Sequence, residues 1–228
     1  MKYNKIIRGI FHNRPNRFIA NVYINDELET VHVKNTGRCK ELLIPGVEVI
    51  LEVSDNPARK TKYDIIAVYK EGLGLVNIDS QLCNKVAYEW LKTKDYDYIK
   101  PEHTYGASRV DFYMERKGEK YLMEVKGCTL EIDGIGYFPD APTERGVKHL
   151  QELTRCIENG FCGAVLFVIQ MKGIKLFRPH DRMHPAFGEA LRQAQKAGVR
   201  LYAMDCNVTA GSIEIDSPVA IDLTPEGS

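Results

Sequence analysis

The sequence predicts two domains: an N-terminal five-stranded β-barrel over residues 1–76 and a C-terminal α/β domain with a mixed sheet over residues 77–228. Three observations carry this reading. Up to about residue 70, apolar and polar side chains alternate with period two between turn residues. From about residue 77, amphipathic helical stretches alternate with short β-rich runs. Hydrophobic residues make up 44% of the 228, enough for two small cores.

In the first domain, Ile6–Phe11, Phe18–Ile24 and Glu29–Val33 read as strands, with Asn25-Asp26 offering a tight turn between the last two. Arg38–Leu43 is expected to form a short helical insert. Pro45-Gly46 then turns into the strand Val47–Val53, and the polar loop 54–62 leads to a last strand, Tyr63–Tyr69. Gly72 and Gly74 mark the expected boundary. Five strands with an insert after the third is the layout of an OB-type barrel, although an SH3-like barrel would read similarly.

In the second domain, Gln81–Lys92 is a helix with Leu82, Val86 and Trp90 as its apolar positions. Ser108–Met114 and Lys120–Val125 are strands flanking Gly118. Thr143–Glu158 is a strongly amphipathic helix, Cys162–Ile169 a buried and central strand, Pro185–Lys196 a helix and Val199–Asp205 a strand. The order is α-β-β-α-β-α-β.

Composition excludes several classes. Thirty-one basic residues balance 31 acidic ones, so polyanion binding has to come from local patches. The six cysteines form no CxxC and no zinc-finger spacing, and read as reduced buried thiols. No apolar run approaches the roughly 20 residues that span a bilayer. The expectation is a cytoplasmic protein without a membrane partner, with self-association left open. Residues 224–228 read as a loose tail.

The chemistry concentrates in Arg109–Met114 and Tyr121–Lys126. In the first strand Val110, Phe112 and Met114 share a face, leaving Asp111 on the other; in the second, Glu124 and Lys126 lie opposite Tyr121, Met123 and Val125. With residues 116–119 as a four-residue loop, Met114 meets Tyr121, Phe112 meets Met123 and Val110 meets Val125. The same register sets Asp111 opposite Glu124, and a one-residue slip would ruin the apolar face. Carboxylates that close repel unless one is protonated or a cation lies between them. Mg²⁺ or Mn²⁺ suits such oxygens, and Lys126 on the same side could hold a water or stabilise phosphoryl charge. The same residues could also be ion pairs on a solvated hairpin face.

On the helix Thr143–Glu158, Leu150, Leu153 and Ile157 form the core stripe, and Gly146 allows close packing. Arg145, His149, Glu152 and Cys156 form an adjoining stripe. Arg145 could grip a phosphate and His149 assist a proton transfer, or the row could simply solvate the helix, as Lys148 with Glu152 would. Residues 1–40 hold eight Lys and Arg against three Asp and Glu. Arg14, Arg17, Asn35 and Arg38 fall in loops at strand ends, where OB barrels bind nucleic acid.

The segments Phe138–Leu150, Arg109–Phe112, Glu124–Lys126 and Asn35–Arg38 together resemble the sugar fermentation stimulation protein A family, over nearly the whole chain. The resemblance implies an OB-like domain, a domain similar to PD-(D/E)XK nucleases, DNA binding, and a regulatory link to sugar (maltose) metabolism. Carried onto this sequence, it implies that Asp111, Glu124 and Glu89 hold Mg²⁺ or Mn²⁺ and that Lys126 completes the ExK motif. Arg145 and Lys148, on the helix that follows, are expected to contact DNA. Val110 stands where the superfamily name has proline, and Pro142 and residues 81–83 also depart from the family pattern. The expected activity is metal-dependent cleavage of DNA, single- or double-stranded. The alternative is a non-catalytic DNA-binding transcriptional regulator on a nuclease scaffold.

Overall fold

The computed structural model describes residues 1–35, 37–106 and 108–225; Thr36 of the Asn35–Arg38 segment and tail residues 226–228 lie outside the described residues. Five strands build the first domain: β1 (Ile6–Asn16), β2 (Ile19–Ile24), β3 (Glu27–Val33), β4 (Glu48–Val53) and β5 (Tyr63–Lys70). They pair antiparallel in the order β3-β2-β1-β4-β5, and a short parallel pairing of β3 with β5 closes the ring. This is the five-stranded OB barrel. Alternation sends Phe11, Val22, Val31, Val49, Leu51 and Ile65 inward, and the His32–Asp64 and Val33–Ile65 pairs close the ring at one end. Asn25 and Asp26 both take positive φ (50° and 67°), the backbone a two-residue hairpin turn needs.

Two expectations are corrected here. Arg38–Leu43 is not a helix but a single turn, with the Leu42 and Leu43 N–H groups both donating to the Cys39 carbonyl. Six residues ahead of Pro45-Gly46 are too few to repay helix nucleation, whereas burying Leu42 and Leu43 stabilises the turn. Gly72 and Gly74 do not end the domain. Both take positive φ (77° and 99°) and turn the chain into a sixth strand, β6 (Gly74–Asn77), antiparallel to β5.

The second domain runs α1 (Cys83–Leu91), β7 (Tyr98–Tyr105), β8 (Ser108–Arg116), β9 (Glu119–Cys128), β10 (Leu130–Ile132), β11 (Ile135–Phe138), α2 (Glu144–Glu158), β12 (Cys162–Ile169), β13 (Leu176–Pro179), α3 (Pro185–Lys196), β14 (Arg200–Thr209), β15 (Ser212–Pro218) and β16 (Ala220–Ile221). The main sheet has the order β15-β14-β12-β9-β8-β7, with β9, β12 and β14 parallel at its centre. A smaller sheet, β10-β11-β13-β16, lies outside the expected plan, as do edge strands β7 and β15. The run 162–169 is central and buried because both its faces are covered. Val165, Phe167 and Ile169 join a core with α2 and α3, while Leu166 and Val168 join one with α1. Gly146 permits the α2–α3 approach: a Cβ there would lie 3.2 Å from the Phe187 ring.

A buried polar seam joins the two domains. Gln170, just past β12, donates to Asn77 Oδ1 (2.9 Å) and the Asp79 carbonyl (3.2 Å), and Asn77 donates to Tyr3 Oη (2.8 Å). Lys34 sits within 3.1–3.4 Å of Glu52, Asp64 and Asp79. The Gln170 contacts cross from sheet to barrel, so its amide is satisfied only when the two keep this orientation. The six cysteines are free, five of them buried, and burial pushes the Cys39 and Cys83 thiols up to about 12. No helix among the described residues is long and apolar enough to cross a membrane.

Candidate active site

The β8–β9 hairpin has the register read from its apolar face: Met114 lies opposite Tyr121 and Phe112 opposite Met123. Its loop is shorter than expected. Arg116 pairs with Glu119, and Lys117-Gly118 alone turn the chain with φ of 51° and 81°. The ladder stops at Phe112–Met123. There the Asp111 carboxylate replaces the backbone as partner, Oδ2 accepting the Val125 N–H at 2.7 Å. Oδ1 accepts from Asn84 Nδ2 at 2.7 Å.

Asp111, Glu124, Lys126, Arg145 and His149 line one cleft of about 380 Å³, whose other walls include Ser80, Gln81, Asn84, Gly127 and Thr143. The cleft opens where α1 and α2 both begin against β9. Gly127 lets α1 approach, since a Cβ would fall 2.6 Å from Cys83 Sγ and 2.7 Å from Gln170 Oε1. Thr143 starts α2 by accepting the Gly146 N–H at 3.1 Å, which places Arg145 in the first turn and His149 in the second.

Glu124 is the hub. Its Oε1 accepts from Lys126 Nζ (2.7 Å) and from His149 Nδ1. Arg145 Nε lies 3.3 Å from His149 Nε2. A guanidinium can only donate, so Nε2 accepts from Arg145 and Nδ1 is left to donate to Glu124. Burial would raise the Glu124 carboxyl, but the His149 hydrogen bond and the Lys126 charge outweigh it and hold it below its ordinary value. Asp111 goes the other way: burial, then the Glu124 charge, raise it above its ordinary value. Two carboxylates pushed apart in this way are a site short of positive charge.

A hard divalent cation fits that deficit. Among the described residues no three His, Cys, Asp or Glu side chains converge closely enough to enclose a metal. Mg²⁺, however, is commonly bound through one or two carboxylates with retained waters. Asp111 and Glu124 supply those two, and Oε2 of Glu124 is left by Lys126 and His149 for a cation.

The remaining expected residues lie elsewhere or act otherwise. Glu89 is corrected: its carboxylate accepts from the Met1 ammonium, in a separate hollow beside Glu214 and Asp216. Five residues along α1 from Asn84 is about 140° around the helix, so the two cannot face one cleft. Asn84 is the α1 residue that hydrogen-bonds Asp111; its place in the helix's first turn was the available signal. Arg14 spends four donor contacts on the carbonyls of Arg17, Asn35, Gly37 and Arg38, at 2.6–2.9 Å. Asn35 is buried, donating to the Ile78 carbonyl and accepting from Gly37 N–H. Both shape the loop and do not offer themselves to a ligand. Arg17 and Arg38 are exposed at a second hollow, and Lys148 points outward, 3.8 Å from Glu152.

Two family models match this architecture: the sugar fermentation stimulation protein RE domain over residues 81–212, and the N-terminal OB domain of the same family over residues 13–78. The chain belongs to the sugar fermentation stimulation protein family. Family homologues from Desulfitobacterium hafniense (strain Y51) and Clostridium beijerinckii are 53% and 52% identical, over 98% of this chain and 99–100% of theirs. A solved family structure, that of Pyrococcus furiosus in complex with Ca²⁺, superposes with a TM-score of 0.85 at 27% identity, over 97% of this chain and 98% of that one. The cleft therefore lies in the family's nuclease-like domain, and Lys34–Arg38 belongs to its OB domain.

Proposed function

We propose that the protein binds DNA and hydrolyses its phosphodiester bonds with a divalent metal held by Asp111 and Glu124. The observation that carries this is the convergence of two oppositely perturbed carboxylates and Lys126 in one cleft. The Ca²⁺ complex of the Pyrococcus furiosus relative supports it, because Ca²⁺ seeks the same oxygen donors as Mg²⁺. A metal bound there polarises the phosphate and lowers the pKa of an attacking water.

The side chains divide the remaining work. Lys126 gives one of its three donors to Glu124 and keeps two for a water or a non-bridging phosphate oxygen. His149 and Lys126 keep Glu124 ionised and aimed. Arg145, exposed above His149, offers its terminal nitrogens to a neighbouring phosphate. Asn84 and the Val125 N–H fix the Asp111 rotamer.

The test is incubation with labelled single- and double-stranded DNA in Mg²⁺, Mn²⁺ or EDTA, for the native protein and Asp111→Asn. Metal-dependent cleavage lost in the variant supports the reading. Salt-sensitive binding without cleavage under either metal refutes it, and leaves a DNA-binding regulator on a nuclease scaffold.

A further inference from the structure

The barrel carries a second hollow of about 320 Å³, lined by Arg14, Asn16, Arg17, Gly37, Arg38, Lys40 and Leu43. Four of these seven residues are cationic and none is acidic, in a chain whose formal net charge is zero. Arg17, Arg38 and Lys40 are exposed and make no ion pair among the described residues. Arg14 meets backbone carbonyls only, so its charge is not cancelled by direct contact. The acidic groups near this cluster are Glu41, which shares the surroundings of Cys39 with Arg14, and Asp140, which feels both Arg38 and Arg14 and is itself pushed above its ordinary value by burial. Beside the hollow the Phe18 ring is 43% exposed, with the Arg17 guanidinium 4.7 Å above it.

The hollow is tied to the cleft at two points. The Lys34 carbonyl accepts from both Ser80 N (3.3 Å) and Ser80 Oγ (2.8 Å), and Ser80 lines the cleft. Gly37, on the rim of the hollow, rests against Asp140: a Cβ there would lie 2.3 Å from Asp140 Oδ2. Asp140 in turn lies three residues before Thr143, a cleft residue. Four residues of chain from Lys34 to Arg38 span at most about 14 Å. One strand can therefore touch both the hollow and the Ser80 wall of the cleft.

We propose that this hollow is a phosphate-binding subsite, in which Arg17, Arg38 and Lys40 hold the backbone of a single nucleic-acid strand that continues to the cleft. This rests on the nucleic-acid reading above and adds where the strand runs. A single strand fits better than a duplex because the exposed Phe18 ring can stack only on a base that is already unstacked.

The test is direct binding in EDTA, so that cleavage plays no part, using labelled single-stranded 4-mers and 12-mers and a duplex 12-mer across a salt series. The variant is Arg17→Ala/Arg38→Ala/Lys40→Ala, all exposed positions; Arg14 is left alone because the loop hangs from it. Single strands lose about 0.7 in log–log salt slope per phosphate contact. The triple variant should therefore lower the slope for the single-stranded 12-mer by about 2, and its affinity on the order of 100-fold at 0.1 M salt. With the hollow disabled a longer strand has only the cleft to hold it, so the wild-type gain from 4-mer to 12-mer should shrink in the variant. An unchanged slope and affinity overturns the subsite while leaving cleavage, read separately with Asp111→Asn, untouched. Inorganic tripolyphosphate binding as tightly as the 12-mer, or a duplex binding better than the single strand, also overturns it.

Discussion

Asp111 is asked to do two things that conflict, and replacing it separates them. In the metal-free protein its Oδ2 satisfies the buried Val125 N–H and its Oδ1 takes the Asn84 amide. Asp111→Ala strands that N–H at a cost of about 1–3 kcal/mol, partly offset by losing the repulsion with Glu124. Asp111→Asn keeps an oxygen for Val125, and Asn84 can turn its own amide to face the new one, so the repulsion goes at little cost. The expected order in EDTA at pH 7–8 is Asp111→Asn at least as stable as the native protein, and Asp111→Ala least stable. At about 2–4 °C per kcal/mol for a chain of this size, the alanine variant should melt several degrees lower. Saturating Mg²⁺ or Ca²⁺ should lift the native protein alone, by about 2.7 kcal/mol at a hundredfold excess over Kd, and put it on top. Because the folded pKa of Asp111 is raised, its contribution is present below the unfolded pKa and lost as pH climbs through the folded one. The gap favouring Asp111→Asn in EDTA should therefore widen as pH rises out of the acid range. Thermal unfolding across pH, with and without metal, reads all of this. An alanine variant as stable as the native protein, or a metal-induced rise equal in native and Asp111→Asn, refutes the reasoning.

Three further outcomes follow from the same structure. Lys126→Met should abolish cleavage while reducing oligonucleotide affinity by no more than one phosphate contact, read by parallel cleavage and anisotropy titrations. Gly127→Ala should destabilise by about 1–3 kcal/mol in urea unfolding, because its Cβ meets Cys83 Sγ and Gln170 Oε1 at 2.6–2.7 Å. Burial alone would raise Asp64, but Arg59, Lys34 and His32 lower it to about 2, so its stabilisation holds above its unfolded pKa and fades as pH falls through about 2. Arg59→Ala should raise the pH midpoint of acid unfolding, followed by circular dichroism; an unmoved midpoint would remove Arg59 from that role.

The hairpin register was legible in the sequence because period-two alternation leaves one pairing that sets Phe112 and Met114 against Met123 and Tyr121. The expected Val110–Val125 pair is not in the ladder, and Val110 joins the other core, with α2 and α3. That same alternation put Asp111, Glu124 and Lys126 on one side, and helical spacing put Arg145 and His149 on one stripe. The central strand 162–169 was legible because only a strand covered on both faces can be apolar throughout. Edge strand β7, with Lys100, Pro101 and Glu102, carries no such pattern, and the short strands of the small sheet are too brief to show one. Folding alone decided the contacts that join distant segments. Nothing local says that Glu89 meets the Met1 ammonium, that Asn84 reaches Asp111, or that Gly37 rests on Asp140. Periodicity reports which face a side chain takes. Which partner waits on that face depends on how two domains close over a buried polar seam, and that is settled by satisfying Lys34, Asn77, Asp79 and Gln170 together.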